Sequence, residues 1–458
     1  MGKAGKALRK VLESYNISQS QLAEGLGVER PIVFRWYHEK IDPTAETVAE
    51  IVKVLNYINK SAANDFIQNY LGDLTTFPST VFQQDLPLST TVNVQTLSKI
   101  FDNTTNSYKY LFFLSLLDIL RREKFKILST ISLLEIIVEM LANAWYPHNY
   151  FKLSFGKLDK IADKLDSLNL VITEPILKFK DTDKKVLRTT INSQKLDDIV
   201  DEITRYVSYR LIRPFFAEET RGLKDYDVNP TLINLANTQF DIKKPLYCFN
   251  ADTQRDCDAI IINQDWLNYL EENYSIVRAW VSWQWLNYMQ QRNPNIPNVV
   301  NKLFMPQQRD SLTQQTKYWK TVLSNQTINC IYSQVKLDIN NISLDHYLPW
   351  SFVAHDQLWN LVPTVPSINS AKSNNLPSPQ YFYEFVRLQH LGLSISQKYC
   401  TEKQWHIYIE PYLSDLQIND VDILLDLEKL NNAYQETITP LVGLAERLGF
   451  TTGWFYQR

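Results

Sequence analysis

Leu344-Asp345-His346-Tyr347-Leu348-Pro349-Trp350 is followed, fourteen residues after its His, by Asn360 within Trp359-Asn360-Leu361-Val362. Nine residues later comes Asn369, within Ser367-Ile368-Asn369-Ser370-Ala371-Lys372-Ser373. Ile342 to Asp345 reads as the end of a short strand and Pro349 to Trp359 as loop. Pro366 to Asn374 opens a helix, with Pro where a helix start tolerates it. A strand, a loop and a helix in this order can turn Asp345 and Asn369 toward one cavity.

Asp345, His346, Asn360, Asn369 and Lys372 fall within 28 residues. Together they hold what hydrolysis of a phosphodiester requires: a base for water, oxygen ligands for a divalent cation, and a positive group for phosphate. Taken singly, each is an ordinary turn or loop residue. The set at these offsets carries the reading.

The set resembles the motif of the HNH (ββα-metal) nuclease family. Its His-to-Asn-to-Asn intervals, with the trailing Ser373-Asn374-Asn375-Leu376-Pro377, are similar to the HNH lobe of the RNA-guided CRISPR effector endonuclease. The resemblance covers a short stretch, from Cys330 to Pro379. It implies that His346 is the general base, Asp345 a metal ligand at the end of the first strand, and Asn369 the second protein ligand. Asn360 would brace the loop presenting His346 without touching the metal, and Lys372 would reach a phosphate. Mg²⁺ or Mn²⁺ is the implied cofactor, since oxygen donors suit a hard cation better than zinc. Many HNH domains carry Cys-x-x-Cys ribs around a structural zinc, but here Cys330 is followed by Ser333, so no structural zinc is expected. A β-hairpin from Cys330 to Leu344 would then be held by packing against the rest of the chain.

Residues 4 to 71 have a compact helical rhythm. Ala7, Leu8, Val11 and Leu12 mark a first helix, a second starts at the capping Ser18, and Gly25 and Gly27 supply the turn after it. A third helix is expected over Glu29 to Glu39 and a fourth over Ala45 to Leu55. Ser18-Gln19-x-x-Leu22-Ala23, Gly27-Val28 and Arg35-Trp36 resemble the lambda-repressor/Cro-like helix-turn-helix family. That resemblance implies a DNA-binding third helix, with Glu29, Arg30 and Pro31 facing the major groove and Arg35 near phosphates. Gln19 and Gln21 could anchor the backbone. Pro31 removes a donor from the groove face, and a role in protein contacts or dimerisation stays open.

The chain of 458 residues, 45% hydrophobic and 12% aromatic, has room for two to four ordered domains. Its formal net charge of −3 excludes a uniformly basic nucleic-acid binder, so any DNA-binding surface must be local. Cys248, Cys257, Cys330 and Cys400 show no ligand spacing, which fits reduced thiols in a cytoplasm. The basic start, Met1 to Lys6, lacks a following apolar region, and the apolar stretches Tyr110 to Leu120 and Ile127 to Trp145 are broken by Asp118, Glu135 and Glu139. No membrane association is expected.

A Pro-, Ser- and Thr-rich passage, Thr75 to Thr91, reads as a linker. Beyond it, Thr105 to Arg122, Leu128 to Trp145, Lys157 to Leu168 and Leu196 to Leu211 have helical periodicity, and Leu246 to Phe249 with Ala259 to Ile262 reads as a hairpin. The run Arg205 to Phe216 interleaves guanidiniums with aromatics, as phosphate-contacting and base-stacking segments do, although packing of an aromatic helix end explains it equally. Trp266, Tyr269, Trp280, Trp283 and Trp285 read as core. The acidic stretch Asp415 to Glu428 reads as a solvated helix face. His148, His355, His390 and His406 have no partner at metal spacing, so each reads as structural.

The expected fold is mainly α, α+β overall. Its parts would be a helix-turn-helix over 1–74, a linker over 75–93, a helical scaffold over 94–325, a ββα-metal HNH module over 326–398 and a helical cap over 399–458. The expected function is a cytoplasmic, metal-dependent DNA endonuclease targeted by its N-terminal domain, with a role in defence against foreign DNA suggested by analogy. A DNA-binding regulator with an inert or autoregulatory nuclease fold, and an RNA-cleaving enzyme, remain alternatives, and a homo-oligomer is left open.

Overall fold

The computed structural model describes residues 3–71, 86–126, 130–181, 183–304 and 311–457. The chain is mainly α-helical and forms two compact units, 1–85 and 86–458. Most of the expected linker, residues 75–85, lies outside the described residues, as does Arg309.

The first unit holds the helices Lys3–Ser14, Gln19–Leu26, Arg30–Tyr37, Ala45–Ile58 and Lys60–Leu71. Ser18 starts the second helix with a full capping box: its hydroxyl accepts from the Gln21 N–H while the Gln21 side chain accepts from the Ser18 N–H. Gly27 ends that helix at φ +66°, a left-handed conformation that glycine adopts without strain. Leu8, Leu22, Val33, Ile51 and Leu55 fill the core, and the fifth helix completes it with Ala62, Ala63 and Phe66.

Two hydrophobic cores organise the second unit. The first is built on the helices Tyr108–Arg122, Leu133–Trp145 and Tyr274–Arg292. A small sheet lies with them: Tyr247–Phe249 and Ala259–Ile262 pair antiparallel, and Ile131–Ser132 joins the other edge of Ala259–Ile262. Trp266, Tyr269, Trp280 and Trp285 are buried here, but Trp283 is 49% exposed. Two residues on from Val281, at about 100° per residue, Trp283 points away from the buried stripe of Val277, Val281 and Tyr288.

The second core runs from Tyr318 to Phe450. Helix Thr313–Asn325 enters it through Tyr318, Trp319 and Val322, as do the long C-terminal helices Phe382–Tyr399, Glu402–Asp415 and Leu427–Arg447. Strand Ser343–His346 pairs antiparallel with Leu361–Thr364, setting Asp345 opposite Val362 and His346 opposite Leu361. The hairpin expected from Cys330 to Leu344 does not form. Residues 328–337 instead fold on themselves, with the Leu337 N–H bonded to the Ile328 carbonyl, and Asp338 caps a turn through the N–H groups of Asn340 and Asn341. That turn separates the two segments and leaves Ser343–His346 to pair with the strand after the loop.

The acidic stretch Asp415 to Glu428 is not one helix face. It joins two helices, and its carboxylates serve the chain locally: Asp420 and Asp426 accept backbone N–H groups at the starts of the next elements. Among the described residues, no helix is long and apolar enough to cross a membrane.

Candidate active site

The two strands and helix Pro366–Lys372 form a ββα unit. Successive strand residues point to opposite faces, so neighbouring Asp345 and His346 meet different surroundings.

Asp345 turns inward. Its carboxylate is 2% exposed, accepts the Tyr332 hydroxyl at 2.6 Å on Oδ2, and lies 3.1 Å from the Lys372 ammonium on Oδ1. Burial and then the neighbouring Asp345 charge push the Tyr332 phenol well above its usual range, so it stays a neutral donor. Lys372, expected to reach a phosphate, is fully buried and also donates to the His346 carbonyl at 2.7 Å. Its position at the end of a seven-residue helix packed on the strand directs its stem into the core. Burial lowers its ammonium pKa, and Asp345 opposes that shift.

His346 turns to the loop between the strands. Its Nε2 is 2.7 Å from Asp356 Oδ1, and both side chains are largely shielded. Asp356 was not foreseen. The signal available was a carboxylate within the loop that returns past the His, ten residues on.

Asn360 is completely buried and clips that loop. Its Oδ1 accepts the Leu348 N–H at 2.8 Å and its Nδ2 donates to the Leu348 carbonyl at 2.9 Å. Asn369 donates from Nδ2 to Ser343 Oγ at 2.6 Å and to the Leu344 carbonyl at 3.3 Å, which leaves its Oδ1 as the acceptor available to a cation. Asp345 and Asn369 therefore both border the space between strand and helix.

The donor chemistry suits a hard cation there. A cationic ammonium already sits against Asp345, and each carboxylate oxygen has a second lone pair beyond its present partner. Among the described residues, no group of three or more His, Cys, Asp or Glu side chains gathers at metal-holding distance. A cation would thus rely on Asp345, Asn369 Oδ1 and water, which Mg²⁺ tolerates. Cys330 lies in the core with Sγ 3.1 Å from Thr364 Oγ1.

The loop is also held from outside the ββα unit. Asn298 Nδ2 donates to the Val353 carbonyl at 2.9 Å, and the fully buried Lys302 donates to the Phe352 carbonyl at 2.5 Å. Burial alone brings the Lys302 ammonium down to about 7. On the other side, Tyr434 donates to the Trp359 carbonyl, Gln389 to the Leu361 carbonyl, and Trp359 Nε1 to Asp415. The module is thus part of a larger packed body.

Beside the loop stands His355, whose Nδ1 accepts the Gln357 N–H at 3.3 Å. Burial takes its imidazole from 6.5 down to about 4; His346 and Lys302 push the same way, while Asp415 and Asp356 oppose. A depressed His is neutral in the folded chain but takes a proton at 6.5 when unfolded. Its contribution is therefore complete above pH 6.5 and is lost as pH falls toward 4. At about 1.4 kcal/mol per unit this is about 3 kcal/mol at most. His355→Gln is expected to flatten the fall in urea stability between pH 7 and 4, and an unchanged acid limb would contradict the assignment. The other histidines have structural partners: His148 pairs with Asp166, His390 with the Leu425 carbonyl, and His406 with Glu402.

In the first unit, Glu29 is the N-cap of helix Arg30–Tyr37 and Pro31 lies in its first turn, where no backbone donor is needed. Glu29, Arg30, Pro31 and Arg35 are exposed, and Val33 and Trp36 are buried. Gln21 is exposed but spends its carbonyl oxygen on the cap, and Gln19 is half-buried.

Residues 330–378 match the HNH endonuclease family, and residues 8–59 match a helix-turn-helix family. No curated protein and no solved structure matches the chain. The first match spans the ββα unit with Asp345, His346, Asn360, Asn369 and Lys372, and the second spans the capped helix pair with Gln19, Gln21, Glu29, Arg30 and Arg35. The chain therefore joins an N-terminal helix-turn-helix domain of the lambda-repressor/Cro-like kind to an HNH endonuclease domain.

Proposed function

We propose that this chain is a metal-dependent endonuclease that hydrolyses DNA phosphodiester bonds, with His346 as general base and a divalent cation held by Asp345 and Asn369. The observation that carries this reading is the His346–Asp356 pair, Nε2 to Oδ1 at 2.7 Å, on the strand that also bears Asp345. Asp356 accepts the Nε2 proton and fixes the tautomer, which makes Nδ1 the nitrogen that takes a proton from water as the water attacks phosphorus. Asn360 keeps the loop in register so that the ring stays aimed. A bound Mg²⁺ or Mn²⁺ would supply charge neutralisation at phosphorus and the leaving oxygen. Lys372, in its present position, balances the charge of Asp345 and would have to leave it to touch phosphate.

The N-terminal domain localises the enzyme, with Arg30 and Arg35 as the DNA contacts and Glu29, Gln19 and Gln21 beside them. The working division is 1–74 for targeting, 75–93 as linker, 94–325 as scaffold, 326–398 as nuclease and 399–458 as cap. A cytoplasmic role in defence against foreign DNA fits this pairing of domains. One HNH site cuts one strand per visit, so a double-strand break requires two visits or two copies.

A second reading is favoured by the Lys372–Asp345 pair: a nuclease fold held inactive, in a DNA-binding regulator, until the pair opens. The deciding experiment incubates the full chain with plasmid and with RNA, each with Mg²⁺ or Mn²⁺. Metal-dependent plasmid cutting supports the first reading, RNA cutting alone moves the substrate class, and intact substrates throughout favour the second. In the same preparation, Arg30→Ala with Arg35→Ala is expected to weaken duplex binding and lower its salt slope by about 2, one per lost phosphate contact; an unchanged slope would remove these residues from the interface.

A further inference from the structure

The run Arg205 to Phe216 divides in two in the folded chain. Tyr209, Phe215 and Phe216 are buried in the first core, which accounts for the aromatic half. Arg210 and Arg213 instead border a cavity of about 630 Å³, together with Lys99, Lys109 and Tyr206. They lie three apart in the 3₁₀ helix Arg210–Phe216, where three residues complete a turn, so both guanidiniums project from one face.

The cations of this cavity are poorly neutralised. Lys109 donates to the carbonyls of Ile100 and Asn103, and Arg213 to the hydroxyl and carbonyl of Thr220. All four acceptors are neutral, and among the described residues neither cation makes an ion pair. Arg210 pairs with Asp225 at 2.9 Å, but that carboxylate is 84% exposed, where an ion pair is weak. Asp102 is the one carboxylate on the cavity wall among the described residues. The Lys109 ammonium falls to about 8, through burial first and then through Arg213 and Arg210, with Asp102 opposing. Like charges gathered around a concave space attract anions. Tyr206, at the cavity edge, is 46% exposed, with its ring centroid 6.5 Å from that of the buried Tyr108.

We propose that this cavity binds a nucleotide unit, with its phosphate held by Lys109, Arg210 and Arg213 and its base laid on the ring of Tyr206. The volume exceeds what a lone phosphate fills and lies within the range of small-molecule sites. An open aromatic face beside cations is the combination that takes a base and its phosphate together. The unit comes either from a free nucleotide or from a single strand, and both present the same chemistry. The site stands independently of the role given to His346.

The test is calorimetric titration of the full chain with inorganic phosphate, with dAMP and with a short 5′-phosphorylated single-stranded oligonucleotide. Either nucleotide probe is expected to bind more tightly than phosphate, and the tighter of the two names the source. Arg213→Gln is expected to weaken both by about tenfold or more. Because Arg213 also ties Thr220, Tyr206→Ala is the companion: its exposed ring can go without disturbing the core, and it should weaken nucleotide binding about tenfold while leaving phosphate binding unchanged. Failure of both nucleotide probes to bind, binding no tighter than phosphate, or nucleotide binding indifferent to Tyr206→Ala would overturn the proposal.

Discussion

His346→Ala is expected to lower metal-dependent plasmid cutting by about 10²- to 10⁴-fold, the span general-base catalysis supplies, without weakening duplex binding by the N-terminal domain. His346 lies on a strand whose register is fixed by four residue pairs, and its ring is held at Nε2 by Asp356. The substitution removes the base while the strand, the Asn360 clip and the Asp345–Lys372 pair persist. Asp356→Asn provides the graded comparison. An amide of the same shape can keep a hydrogen bond to the ring, but it no longer enforces one tautomer, and cutting should fall by about 10- to 100-fold, as for other groups that orient a functional His. The ¹⁵N signals of the His346 ring separate this from simple loosening: the wild-type chain should show the Nε2-protonated form and the variant a mixture. Wild-type cutting by His346→Ala would remove it from the chemistry, and an unaltered tautomer in Asp356→Asn would remove Asp356 from its positioning role.

The parts of this molecule that were legible in its sequence are those whose determinants are local. The capping box at Ser18, the strand ending at Asp345–His346 and the helix opening at Pro366 depend on neighbours within a few residues, and such neighbours can be read in order. What escaped depends on residues far apart. Lys372 looked like a surface cation because a helix end is usually exposed, but packing of that helix on the strand turned its stem toward a buried carboxylate 27 residues earlier. Asp356 lay in a loop whose path is set by Asn298, Lys302 and Tyr434, all distant in sequence. The hairpin expected before Leu344 yielded to pairing across the loop because the Asp338 turn uses the intervening residues. Trp283 was misread because a three-residue step is compatible with one face but does not say which side of it is covered. The helix Lys60–Leu71 completes a core that four helices leave open at Phe66.

Lys372→Met is expected to destabilise the chain by about 3–5 kcal/mol when no divalent cation is present, the cost of stranding one member of a buried ion pair. Lys372 and Asp345 are 0% and 2% exposed, and after the substitution the carboxylate keeps only the neutral Tyr332 hydroxyl as a printed side-chain donor. The same lesion tests the cation site without recourse to cutting. If Asp345 is the ligand, Mg²⁺ or Mn²⁺ should enter where the ammonium was and restore stability with concentration, by about 2.7 kcal/mol at a hundredfold excess over its dissociation constant. The wild-type chain should gain less, because its ammonium must first be displaced. Combining Lys372→Met with Asp345→Asn removes both charges, so the double variant should be more stable than Lys372→Met alone and indifferent to the cation. Thermal melts of the three proteins across a cation series decide the matter. Rescue of Lys372→Met that vanishes in the double variant makes Asp345 the ligand and Lys372 its resident counter-charge, whereas equal responses in both place the cation elsewhere.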